Sequence, residues 1–387
     1  MKKLYHENSY IKELETKVKK QFNENNLTYI IPEETIIYPE GGGQPSDKGF
    51  INNTEIIDIK IKNDMIAYGI KDIINDEHIK MSIDFDKRYI HMQQHTGQHL
   101  LSEIIMRKFN AQTLSFSIGE NHSSIEINLK SISEENIKEL EKECFNLILE
   151  NRIIKTYIID DKDPIINKLR KPPEVKDNIR VVEIDDFDYS ACGGTHLKST
   201  GELGILKIIK TDKVRGNIRL YYVAGYRALK DYQDKNTIIM EIRKELGKQI
   251  YEIPETVRKF KIENEGLRKE LKHLKKIEME KEIEVAKNSK ENFIIREFNN
   301  FEIKDIKYFA KNIVGSGKNL LVFSKAPKQY MIVATNNKNI DLRKHSNEIF
   351  TLLSGRGGGR DDFIEGRVED FSKINELMEY LRDKLDF

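Results

Sequence analysis

With 387 residues the chain has room for two to four domains of roughly 100–200 residues each. Lys plus Arg number 65 against 64 for Asp plus Glu, a net charge of +1, which excludes bulk electrostatic attraction to nucleic acid and leaves any such partner to local patches. Cys144 and Cys192 lie in very different surroundings, which argues against a disulfide framework and suits a reducing compartment. The start MKKLYHENSYIKELE has no apolar leader core, and nowhere do about 18 uncharged apolar residues run together, so the expectation is a cytoplasmic protein with no membrane partner.

Residues 1–89 alternate apolar β-branched runs with turns at Gly, Asn52-Asn53 and Asn63-Asp64, a pattern that predicts a small β domain of barrel type. Within it lies TIIYPEGGGQPSDKG. Helical periodicity takes over over 90–109, with His91, His95 and His99 on one side and Leu100, Ile104 and Ile105 on another. Strand-like stretches follow at TLSFSIG and SSIEINL, and then a helix opens at Ser133 with a capping signature and an apolar stripe of Ile137, Leu140, Cys144, Leu147 and Ile148. KTYIID, IRVVEIDDF, GILKIIKTDKV and NIRLYYVAGY read as strands, so 90–225 is expected to be one α+β domain.

Charged helix dominates 226–290. One helix runs over 227–249, and Pro254 begins a second whose a/d series is Val257, Phe260, Asn264, Leu267, Leu271 and Leu274. An antiparallel hairpin is expected, although the same seam could pair with a second chain, with Asn264 setting register. Residues 291–387 return to α/β: NLLVFSK and QYMIVATN as strands, LRKHSNEIFTLL as a helix, SGRGGGRDD as a glycine loop and DFSKINELMEYLRDKL as a last helix. GSGK at 315–318 lacks the spacing of a phosphate-binding loop. The expected fold class is therefore α+β multidomain: a small β-barrel, an α+β domain, a helical hairpin and a C-terminal α/β domain.

HTGQH places His95 and His99 four residues apart, where a helix stacks them on one face. Alone, such a pair arises by chance in a chain with nine histidines. SACGGTHL supplies a second pair, Cys192 and His196, and its two glycines call for a turn rather than a helix. Three imidazoles and a thiolate suit one tetrahedral Zn2+. Four protein ligands ordinarily mark a closed structural site, and activity would need a distant ligand or expanded coordination; the residues alone leave both open. Gly97 between the histidines is read as leaving room for something to approach.

H-x-x-x-H and C-x-x-x-H, with the GGGQP segment upstream, closely resemble the alanyl-tRNA editing proteins of the AlaX type and the editing domain of alanyl-tRNA synthetase. The resemblance covers nearly the whole chain and points to the long form. It implies a translation-factor-like barrel, an editing domain over 90–225, and over 226–387 the synthetase's helical hairpin and glycine-rich globular domain. It implies a zinc-dependent hydrolase that clears seryl-tRNA(Ala), and in some members glycyl-tRNA(Ala), without charging tRNA. Carried onto this chain, His95, His99, Cys192 and His196 become the zinc ligands. Gly41, Gly42 and Gly43 become part of the pocket mouth, with Gln44 bonding the substrate end.

Thr113 resembles the threonine that reads the serine hydroxyl, with Ser115 and Gln112 as neighbouring candidates. No Asp or Glu is assigned as general base. RNA contacts fall to Arg88, to Arg215 and Arg219 beside tyrosines, and to Arg356 and Arg360 framing a glycine run that the resemblance places at the tRNA elbow. A homodimer through the hairpin or the C-terminal domain is a further expectation. Competing readings are a deacylase of another mischarged tRNA, like the editing domain of threonyl-tRNA synthetase, and a tRNA-binding or dimerising protein with a purely structural zinc.

Overall fold

The computed structural model describes residues 1–62, 65–173, 175–325, 329–385 and 387; the Asn63-Asp64 turn lies outside the described residues. It is a mixed α+β, multidomain chain that divides into two compact units, Met1–Glu245 and Leu246–Phe387. Among the described residues no helix is long and apolar enough to cross a membrane.

The first unit opens with a sheet of seven strands. Its organising element is the strand Glu13–Glu24, whose first half pairs with His78–Ile83 and whose second half pairs with Leu27–Pro32, so one long strand serves two half-sheets. Ile30, Ile37, Ile51, Tyr68 and Met81 fill the core of this part.

The helix Phe85–Phe109 begins five residues before the periodicity predicts, because Asp84 caps it by accepting from the Lys87 N–H at 3.1 Å. It ends at Asn110, held in the left-handed conformation at φ 49°. From His91 to Ser102 it is buried on every side. Two of its glutamines are spent on neighbouring backbone: Gln94 bonds Ala224 through both ends of its amide at 2.8 and 3.1 Å, and Gln93 bonds Glu202 O and Tyr226 N. Gly97 serves packing rather than access, since a Cβ there would lie 3.0 Å from Leu206 and 3.4 Å from Ala224. A four-stranded sheet, Thr113–Ile118, Ser123–Ile127, Asn217–Ala224 and Leu206–Val214 in spatial order, packs on this helix, and so does the helix Glu134–Leu149, which carries the Ser133/Asn136 capping box. A smaller sheet of Ile154–Ile159, Ile179–Ile184 and Asp188–Ala191 delivers the chain to the CGGTH turn.

The second unit begins with the helix Ile253–Asn288 and continues into a five-stranded sheet. Along its strands alternate residues point to opposite faces: Leu320, Val322 and Ile332 meet the helix Ile303–Val314, while Leu321, Phe323 and Val333 meet Leu342–Leu352 and Ile374–Leu385. Val257, Phe260, Leu267, Leu271 and Leu274 of the expected seam are each more than half exposed. The glycine run expected as a loop is instead an edge strand, Arg356–Gly359, paired with Phe363–Arg367. A Cβ on Gly357 would stand 2.4 Å from the Phe350 ring, so glycine lets this strand lie flat against the helix beneath.

Arg88 corrects another expectation. Its side chain has no exposure and is paired with Asp47, its Nε donating to Oδ1 at 2.8 Å, while its other nitrogens donate to Ser9 O and Ile36 O. It therefore has no surface to offer RNA. Asp47 in turn accepts from the Tyr38 N–H at 2.6 Å, so Arg88 anchors the segment that carries GGGQ. Replacing Arg88 with Met is expected to lower stability by about 3–5 kcal/mol, because Asp47 would be left as an uncompensated buried charge; chemical denaturation of the two proteins measures it.

Candidate metal centre

His95, His99, Cys192 and His196 come together with their ligand atoms all within 4.8 Å of one another. Each half of the set is positioned by backbone design. The helix stacks the first two rings, with centroids 5.4 Å apart, and His196 lies 4.4 and 4.6 Å from them. In the turn, a Cβ at Gly194 would fall 2.2 Å from the His95 ring, so only glycine lets the second pair approach the first. Thr96 accepts from the Leu197 N–H at 3.2 Å, fastening the turn to the helix beside His95.

Hydrogen bonds select which ring nitrogens are free. Nδ1 of His95 donates to Gln44 Oε1 at 2.9 Å, and Nδ1 of His99 donates to Asp188 Oδ2 at 2.7 Å, leaving Nε2 of each with a lone pair directed at the cluster. Cys192 Sγ sits 3.4 Å from His95 Nε2 and 3.3 Å from His196 Nε2, and accepts from the Gly194 N–H. His196 Nδ1 is buried without a hydrogen-bond partner. Burial opposes ionisation of Cys192, yet the neighbouring His95 and His196 hold its thiol well below the ordinary range. Burial likewise works against a proton on His99, and bonds to Asp188 and Cys192 more than offset it, raising its basicity. For His196 burial prevails, followed by repulsion from His95, and its pKa falls to about 3. A thiolate among three imidazoles, two of which have their second nitrogens occupied by Gln44 and Asp188, is a donor set that fits a divalent transition metal. His91, on the same side of the helix, is outside the set; burial and then Arg227 push it down to about 4.

His95, His99 and Cys192 of the cluster line a cavity of about 710 Å³. Gly41 and Gly42 lie on its wall, and the turn they make needs positive φ at Gly42 (56°) and Gly43 (81°). A Cβ on Gly43 would be 2.2 Å from Phe116 O, which explains the third glycine. Gln44 is completely buried behind His95, with Nε2 donating to Thr195 Oγ1 at 2.8 Å and Oε1 accepting from Thr195 N, so it holds a ligand and does not line the cavity. Thr113 and Ser115 do line it, and Gln112 does not. Among the expected RNA contacts, Arg219 is paired with Glu126 at 2.8 Å and Arg360 with Asp362 at 3.2 Å, while Arg215 and Arg356 are exposed.

Sequence reasoning missed the residues that hold the ligands. Asp188 is buried, accepts from Ser190 Oγ, and lies 3.3 Å from Arg170 Nη1, whose guanidinium also bonds His99 O. Burial raises its pKa, but Arg170 and His99 more than reverse this and keep it below the usual carboxylate range. Arg180 donates to Cys192 O at 2.7 Å and Gly194 O at 3.0 Å, and His6 bonds Gly193 O at 2.9 Å, so every carbonyl from Cys192 to Gly194 is held. The available signal was the DYSAC run, in which Asp188 stands on the strand leading to Cys192.

Comparison with known proteins now places the chain. Residues 179–221, which include the CGGTH turn, match the threonyl and alanyl tRNA synthetase second additional domain. The chain is thus an aminoacyl-tRNA deacylase, a hydrolase. Over its full length it is 32% identical to the alanyl-tRNA editing protein AlaX-L of Pyrococcus horikoshii, covering 98% of that protein, and it belongs to the alanyl-tRNA editing protein family. It is 26% identical over 91% of its length to the alanyl-tRNA editing protein Aarsd1 of Danio rerio, covering 87% of it. Against alanine–tRNA ligase of Pyrococcus abyssi it is 28% identical over 97% of its length but spans only 43% of that relative.

Changing Asp188 to Asn is expected to weaken divalent-metal affinity about 10- to 100-fold, since the amide cannot support the His99 ring as an anion does; competition with a chromophoric chelator measures it.

Proposed function

We propose that the chain acts in trans, in the cytoplasm, on tRNA(Ala) mischarged with serine, and also with glycine, hydrolysing the ester to free amino acid and intact tRNA. The observation that carries this reading is the convergence of His95, His99, Cys192 and His196, three of which, His95, His99 and Cys192, line a cavity. These four would hold one Zn2+, which when bound supplies Lewis acidity toward an ester carbonyl and acidifies water. The remaining chemistry belongs to the chain. Gln44 and Asp188 orient the imidazoles, and Gly41 and Gly42 allow the acceptor end to approach the wall closely. Thr113 meets the serine hydroxyl, which would be costly to bury unmatched. No carboxylate is given the role of general base.

Arg215 and Arg219 in the first unit, and Arg356 and Arg360 in the second, are read as contacts to the tRNA backbone. We take the two N-terminal half-sheets as the small barrel of the long editing proteins, residues 226–290 as their helical segment, and the exposed Val257 to Leu274 seam as the surface for a second copy. Four protein donors also fit a purely structural zinc, and the deciding experiment separates the two.

Purified protein is incubated with Ser-, Gly-, Thr- and Ala-tRNA, with and without chelator. The expected result is selective release of serine, slower release of glycine, and loss of both when metal is removed or when His95→Ala and Cys192→Ala are combined. Preference for threonyl ester would favour the other deacylase class. Binding of tRNA without release of either amino acid would favour the structural-zinc reading, and release unaffected by chelator and by the double variant would overturn the metal-dependent one.

A further inference from the structure

The His95–His99 pair has a neighbour on the same helix. Gln98 and Ser102 are also four apart and are each displaced by three from a ligand histidine, so they form the adjacent row on the helix surface. Gln98 Nε2 donates to Ser102 Oγ at 2.7 Å, and Ser102 Oγ lies 2.6 Å from Thr113 Oγ1. All three residues are buried, with exposures of 7%, 1% and 9%, and Gln98 and Thr113 line the cavity beside the ligand cluster.

We infer that the cavity's hydroxyl-reading subsite is this three-residue array, Gln98, Ser102 and Thr113, and that Gln98 and Ser102 are specificity-determining residues. The inference rests on the deacylase reading above and names the part of that site that separates a seryl ester from a glycyl one. A hydroxyl has one proton and two lone pairs. Ser102 spends one lone pair on Gln98, so its contact with Thr113 can run in only two ways. If Ser102 donates, the Thr113 proton remains available to a ligand; if Thr113 donates, both of its lone pairs remain. In either state Thr113 Oγ1 keeps unspent capacity, and its position is set from behind by Ser102. Among the described residues no hydrogen bond reaches Gln98 Oε1, which adds an acceptor on the cavity side. A serine hydroxyl, both donor and acceptor, matches such an array, whereas glycine leaves it unmet; unmet buried polar groups are what make a site reject the smaller substrate. A lone threonine opening a strand would not need two buried polar residues behind it.

The test measures kcat/KM for Ser-tRNA(Ala) and Gly-tRNA(Ala) with the full-length wild type, Ser102→Ala, Ser102→Thr and Gln98→Met. Binding of non-hydrolysable 3′-serylamino- and 3′-glycylamino-adenosine to each protein is measured by calorimetry as a readout independent of turnover. Ser102→Ala and Gln98→Met are expected to lower the seryl-to-glycyl ratio about tenfold in both assays, and Ser102→Thr, which keeps the hydroxyl, to restore most of it. An unchanged ratio in Ser102→Ala and Gln98→Met, or proportional loss on both esters, overturns the inference while leaving the deacylase reading intact. A wild type that releases neither amino acid takes both down. If Ser102→Ala does not fold, Gln98→Met and the wild-type preference for the serylamino analogue decide the matter alone.

Discussion

Everything in the first unit depends on bringing two short segments, one helical and one a glycine turn, to a common point in the interior. Three imidazoles and a thiol are expensive to bury unless each polar atom is used. The chain uses almost all of them: Gln44 takes His95 Nδ1, Asp188 takes His99 Nδ1, and Gly194 N–H reaches Cys192. What remains is a set of lone pairs aimed at one small volume, with His196 Nδ1 the exception.

This arrangement explains why the surrounding protein is built as it is. The ligand helix is buried all round because it is clamped from several sides, by Gln93 and Gln94 to the Glu202 and Ala224 to Tyr226 backbone and by Thr96 to Leu197. The N-terminal part of the chain is not an appendage to the site. It sends Gln44 behind His95, His6 onto Gly193, and Asp47 onto Arg88, so the glycine segment and the ligand turn are fixed by the same body. Glycine recurs where backbone or ring must come close: Gly43 against Phe116, Gly194 against His95.

The convergence of His95, His99, Cys192 and His196 was legible because metal chemistry imposes residue types and spacing that stand out in the bare sequence. So were the Ser133 cap and the strands from Ile154 to Ala224, which carry local periodicity and punctuation. What was not legible depends on contacts between distant positions. Arg88 looks like any basic residue until Asp47, 41 positions away, is placed beside it. Gln44 looks like a pocket residue until Thr195 closes over it. The RGGGR run reads locally as a loop, and becomes an edge strand only because Phe350 and Phe363–Arg367 offer it a flat surface. Gly97 reads as space, and Leu206 and Ala224 occupy that space.

X-ray absorption spectroscopy of the zinc-loaded chain tests the metal account most directly. We predict a single Zn2+ whose inner shell holds one sulfur at about 2.3 Å together with imidazole nitrogens. A shell without sulfur, or a chain that retains no stoichiometric metal, would contradict it.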